Sequence, residues 1–172
     1  FVQTLNGFAQ LGVIGHLGKP FQSPSDRNGP ALYDQFNMIG DGFMVCQEFT
    51  DPASAANTSF SADDFVVPAG ESWAVRYVDV AGAYFAWNGN PIESLNITFY
   101  ENNNGVPGVA LHTYTHYTNY NEILINDYSH SSRFEIMLPS TLVFNEGHYW
   151  LGVQAVGDFG VMGQWGWLTH QG

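Results

Sequence analysis

Apolar and polar residues alternate along most of this chain, and a helical period of three to four is nearly absent. Leu95, Ile97 and Phe99 alternate with Asn96, Thr98 and Tyr100, the signature of a strand with one buried face and one half-exposed face. Trp73, Val75 and Tyr77 fall on one side of their stretch and Arg76 on the other, and Tyr149, Leu151, Val153 and Ala155 share a third such face. The pattern predicts strands near 32–36, 43–49, 62–67, 73–86, 95–101, 109–117, 122–127, 133–138, 142–144, 148–156 and 163–169. Clusters rich in Gly, Pro, Asn and Asp separate them, among them VPAGE, WNGNP, ENNNGVPG and VGDFG. Many short strands with one buried face predict an all-β fold, a two-sheet antiparallel β-sandwich of jelly-roll type. Its expected core is Phe65, Trp73, Val75, Tyr77, Leu95, Ile97, Phe99, Leu151 and Val153.

The first thirty residues are patterned differently. Read with period two, Phe1, Leu5, Ala9, Leu11, Val13 and Leu17 fall on one mostly apolar face. The stretch from Gly18 to Pro30 has the composition of a linker, so the chain divides into an arm and linker (1–30) and a β domain (31–172). An apolar strand must be covered, because an exposed one aggregates. Two placements satisfy that: the first strand of the chain's own sandwich, or a strand added to a neighbouring subunit.

Composition narrows the function classes. The 172 residues carry 4 Lys and Arg against 16 Asp and Glu, a net charge of −12. Nucleic acid and anionic membrane are poor partners for such a surface, whereas cations such as Ca²⁺ suit it. No stretch reaches the ~20 apolar residues of a membrane helix. The single cysteine, Cys46, alternates with apolar neighbours as a small buried hydrophobe would. The sequence starts at Phe1 without an initiator Met, which fits a processed, exported protein. Asn57 and Asn96 open N-glycosylation sequons.

Candidate chemistry is sparse. His112 and His116 have metal-site spacing for a helix, but HTYTHYT is strand-forming, and residues four apart on a strand lie ~13 Å apart. Asp63 and Asp64 are neighbours on a strand and point to opposite faces, a poor arrangement for acting on one bond. With Glu101, Asn102 and Asn104 of the Asn-rich loop they form the candidate oxygen ligands of a Ca²⁺ ion. Trp87, next to a turn, and Trp165 with Trp167, two apart on one face, are the candidate sugar-stacking rings. No nucleophile elbow, zinc-protease, P-loop or dinucleotide motif occurs, so the expectation is a protein without enzymatic activity.

The pieces ALYDQFN (31–37), QEFTDP (47–52), ADDFVVPAGESW (62–73), FYENNNGVPG (99–108), LPSTLVFNEGHYWLGVQA (138–155) and GQWGWL (163–168) resemble an uncharacterised family of secreted bacterial β-sandwich domains found in multidomain surface proteins. The resemblance implies an extracellular or cell-surface, non-catalytic domain and offers no site residues. Residues 1–30 lie outside it. Together with the arm, it gives the expectation of a structural protein that assembles with itself into a fibre or surface layer by strand addition. The alternative is an accessory module that binds a polysaccharide or calcium.

Overall fold

The computed structural model describes residues 11–13, 32–34, 39–126 and 130–170. These form ten strands: β1 (Leu11–Val13), β2 (Tyr33–Asp34), β3 (Ile39–Val45), β4 (Gln47–Phe49), β5 (Ala62–Phe85), β6 (Ser94–Asn102), β7 (Pro107–Tyr117), β8 (Tyr120–Asn126), β9 (Ser131–Gly157) and β10 (Gln164–His170). A 3-10 turn at Ala55–Asn57 and a one-turn helix α1, Phe159–Met162, complete the elements. The protein is all-β and almost wholly antiparallel; among the described strands only β4 pairs in parallel, with the end of β9. No helix among the described residues is long and apolar enough to cross a membrane.

The organising unit is the β5–β9 pair. The two strands run antiparallel from Ala62 opposite Gly152 to Ala83 opposite Ser131. The sequence pattern divides this region into five separate strands, because Pro68, Gly70, Pro139 and Gly147 read as breakers. In the structure the chain bends at those sites and continues. Register shifts fall between Val67 and Ser72 and between Val75 and Tyr77. Gly70 takes φ +80°, and its N–H donates to the Glu146 carboxylate at 2.6 Å. Bulges of this kind add bend and twist without ending a strand.

On one half of the pair, β9 is flanked by β6 and then β7. On the other half, β8 pairs β9, while β10 and β1 share the outer edge of β5. All ten strands therefore belong to one open hydrogen-bonded sheet, with order β2-β1-β5-β9-β6-β7 along its main path. Both halves feed one core. Phe65 stacks on Trp73 and meets Phe99 and Phe144 edge-on, and Phe134 meets Trp165 edge-on at 5.4 Å. Trp167 of β10 donates its Nε1–H to the carbonyl of Val153 in the far half of β9, at 2.6 Å. All nine residues expected in the core are buried.

Buried polar groups tie the elements together. Gln47 accepts the N–H of Trp165 at 2.6 Å and donates to the carbonyls of Gly157 and Gly163, joining β4, β9 and β10. Cys46 is buried as expected. Its Sγ contacts the Val153 carbonyl at 3.3 Å, and burial pushes the thiol up to about 12, so no thiolate is available for chemistry. Arg133 donates to the buried Asp79 carboxylate, at 2.7 Å from Nε.

Candidate functional site

Where β5 ends, the chain turns through Ala86 at φ +53° and Gly89 at φ +87°. This turn presents Trp87, 38% exposed. Its indole N–H donates to the Asn90 carbonyl at 2.8 Å, and Asn88 and Asn90 donate to the Gly160 and Val161 carbonyls of α1. The turn is therefore held at both ends, and the ring is fixed before any ligand arrives.

Trp87 borders a cleft of about 230 Å³, whose other walls are Tyr84, Pro91, Glu122, Leu124, His130 and Ser132. The His130 ring lies 4.8 Å from the Trp87 ring, and Tyr84 lies 5.8 Å from it. Tyr84 donates its O–H to Glu122 Oε1 at 3.0 Å and accepts the N–H of Ile92 at 3.3 Å. Burial, reinforced by the Glu122 carboxylate, holds the Tyr84 phenol well above its ordinary range, so it stays a neutral donor. Tyr120 is pushed up to about 12 by the same two causes, in the same order. The described residues of the cleft offer ring and aliphatic surface, one carboxylate and one imidazole. No Lys or Arg is among its described lining residues.

Of the other sequence-predicted stacking rings, Trp165 and Trp167 do share a face, but it is the core face. Both are fully buried, so they cannot meet a ligand. Their spacing signals a buried strand face, which alternation alone cannot distinguish from an exposed one.

The five candidate calcium ligands do not form one donor set. Asp63 points inward and is buried, Asp64 lies on the opposite face with Oδ2 2.6 Å from His148 Nε2, and Glu101, Asn102 and Asn104 sit at the β6–β7 hairpin. Asn102 Oδ1 already accepts from Gly105 N–H and Trp150 Nε1. Among the described residues no three His, Cys, Asp or Glu side chains gather as a metal cluster would.

His112 and His116 both lie on β7, as the strand reading requires. The His112 ring packs edge-on against Phe144, and His116 takes φ +50° with Nδ1 3.5 Å from Ser94 Oγ. Of the sequons, Asn57 is exposed, whereas the Asn96 Nδ2, the atom a glycan would occupy, donates to Glu48 at 2.6 Å and to Gln154 at 3.0 Å.

The arm is seen only in part. Leu11–Val13 form β1, and their backbone pairs with β5 of the same chain, Leu11 opposite Val80 and Gly12 opposite Asp79. Phe1, Leu5, Ala9 and Leu17 lie outside the described residues. Sequence reasoning missed Tyr84, Glu122 and His130. Their only signal is that each lies on or beside an alternating strand that must bend towards the Trp87 turn, and the bend is not written in the alternation.

Comparison with protein-family models, with curated proteins and with solved structures returns no match.

Proposed function

We propose that this chain is a non-catalytic, extracellular β-sandwich domain of jelly-roll type that binds carbohydrate. The observation that carries the reading is the cleft at Trp87: a pre-fixed, exposed indole beside a Tyr–Glu hydrogen bond and an imidazole. Aromatic rings supply apolar faces for the C–H surfaces of a sugar ring, and carboxylate and imidazole groups take its hydroxyls. The Glu122 carboxylate in the lining and the net charge of −12 favour a neutral saccharide over a uronate or sulfated one. The resemblance to secreted surface domains points to the same compartment.

The test is a titration with soluble neutral oligosaccharides, with release of reducing ends followed in parallel. Binding without turnover is expected, and Trp87→Ala should weaken it about tenfold, the loss typical of a truncated aromatic hot spot. Failure of every neutral saccharide to bind, or hydrolysis dependent on Glu122, would overturn the reading.

One observation favours a second reading, self-assembly by strand addition. Among the described residues, β1 lies at the outer edge of β5, Leu11 opposite Val80 and Gly12 opposite Asp79, with the two-residue β2 on its other side. A strand near the edge of a sheet can be exchanged with the same strand of a neighbour. Size-exclusion chromatography and electron microscopy of the intact chain distinguish the readings. Polymers that vanish when residues 1–17 are deleted support exchange, and a monomer at high concentration rules it out.

A further inference from the structure

The outward face of the β5–β9–β6 ladder carries a second row of ring side chains that shares no residue with the Trp87 cleft. Asp64 pairs with Trp150, and Trp150 with Tyr100, so these three stand side by side across three strands on the face opposite the core. The His148 ring stacks on Trp150 at 5.7 Å and 22°, and its Nε2 lies 2.6 Å from Asp64 Oδ2. Trp150 donates its Nε1–H to Asn102 Oδ1 at 3.0 Å. Phe60, 38% exposed, extends the row by meeting Tyr100 edge-on at 6.0 Å. The tip of its ring fills the volume that a Cβ at Gly152 would occupy, so the glycine is what lets the ring sit against the sheet.

Each of these rings is held by a neighbour, so little side-chain entropy remains to be lost on binding. A face needed only for solubility would carry Lys and Glu. Among the described residues this row has no Lys or Arg, and its Asp64 carboxylate is paired with an imidazole while 32% of each side chain stays open to solvent. Rings in a row, bordered by an amide, a carboxylate and an imidazole, complement a chain of flat, hydroxylated rings. Asp64 and the net charge of −12 repel a polyanion.

We infer that this row is a second docking surface, for an extended neutral polysaccharide. Phe60, Tyr100 and Trp150 stack on successive sugar faces, and Asp64, His148 and Asn102 bond their hydroxyls. The inference rests on the reading above for its ligand class and not for its location. It makes the domain two-sited: a cleft for a short saccharide and a face for a long one, with the gain in avidity that linked sites bring.

The experiment is depletion of the full chain by insoluble cellulose, chitin and starch, beside titration with soluble oligosaccharides. The expected result is capture by at least one solid, weakened tenfold or more in the Phe60→Ala/Tyr100→Ala double variant and retained in Trp87→Ala. Capture that survives the double variant but is lost in Trp87→Ala overturns the face and leaves the cleft standing. Capture lost in the double variant, with no soluble saccharide bound, supports the face and removes the cleft. If no solid captures the wild type, the inference fails. Should the double variant unfold, hydrogen exchange on the wild type bound to the solid decides: protection of residues 98–102 and 148–152 supports the row, and unchanged exchange there overturns it.

Discussion

Asp63 is the residue least at ease in this fold. It follows the inward alternation of β5, is 3% exposed, and its Oδ2 has no hydrogen-bond partner. Burial pushes its carboxyl up to about 7 from an ordinary 3.8. The folded chain therefore holds a proton that the unfolded chain has released between about pH 4 and pH 7, and stability falls as pH rises through that window. The span is worth on the order of 4 kcal/mol. Asp63→Asn should raise the melting temperature at pH 8 and change it little at pH 4. An equal gap at both pH values would show that the carboxyl is not the cause. Gly152 makes a second residue-scale case. A methyl there displaces the Phe60 ring, which has solvent to move into, so Gly152→Ala should cost about 1 kcal/mol, at the low end for overpacking. Denaturant unfolding measures it.

Among the elements, Phe99 on β6 tests the register most directly, since it is fully buried and touches Phe65 and Phe144. Phe99→Ala should cost ~3–5 kcal/mol, and a loss below ~1 kcal/mol would place it off the core. The alternation that marks Phe99 also marks most strands and their inward faces, because period two is a local property of residues that pack on one side. It equally leaves Tyr100, His148 and Trp150 facing outward, so the second ring row could have been read from sequence. What alternation cannot carry is continuity. The breakers inside β5 and β9 are the same residue types that end strands elsewhere. Whether the chain stops or bends depends on a partner across the ladder, such as Glu146 for Gly70. The Trp87 cleft was half legible for the same reason: the turn exposes Trp87, but Glu122 and His130 come from elements whose approach is tertiary. Helix α1 lay hidden in a loop-like stretch. Its Asp158 cap, accepting the Gly160 N–H at 2.6 Å, shows only in three dimensions.

At the scale of the molecule, charge is the global quantity. Twelve excess negative charges on one domain repel one another, and the repulsion is relieved by unfolding. Salt shortens the Debye length from ~30 Å at 0.01 M to ~8 Å at 0.15 M. The melting temperature should rise over that interval, and a flat or falling trend in calorimetry would show that specific ion pairs, such as Arg133 with Asp79, outweigh the net field.

The placement of Trp165 and Trp167 has a consequence for how the chain is made. Both are fully buried, and β10, which carries them, is the last of the described strands. Its partners were synthesised far earlier: β3 lies more than a hundred residues upstream, and β5 about eighty. A nascent chain that has reached β9 holds the long central pair but has a hole where two indoles belong. Until residue 167 leaves the ribosome, the β5 edge and the apolar floor beneath it stay open, a state prone to wrong pairing. Closure of the core must then wait for β10 to emerge, and distant pairings of this kind close slowly.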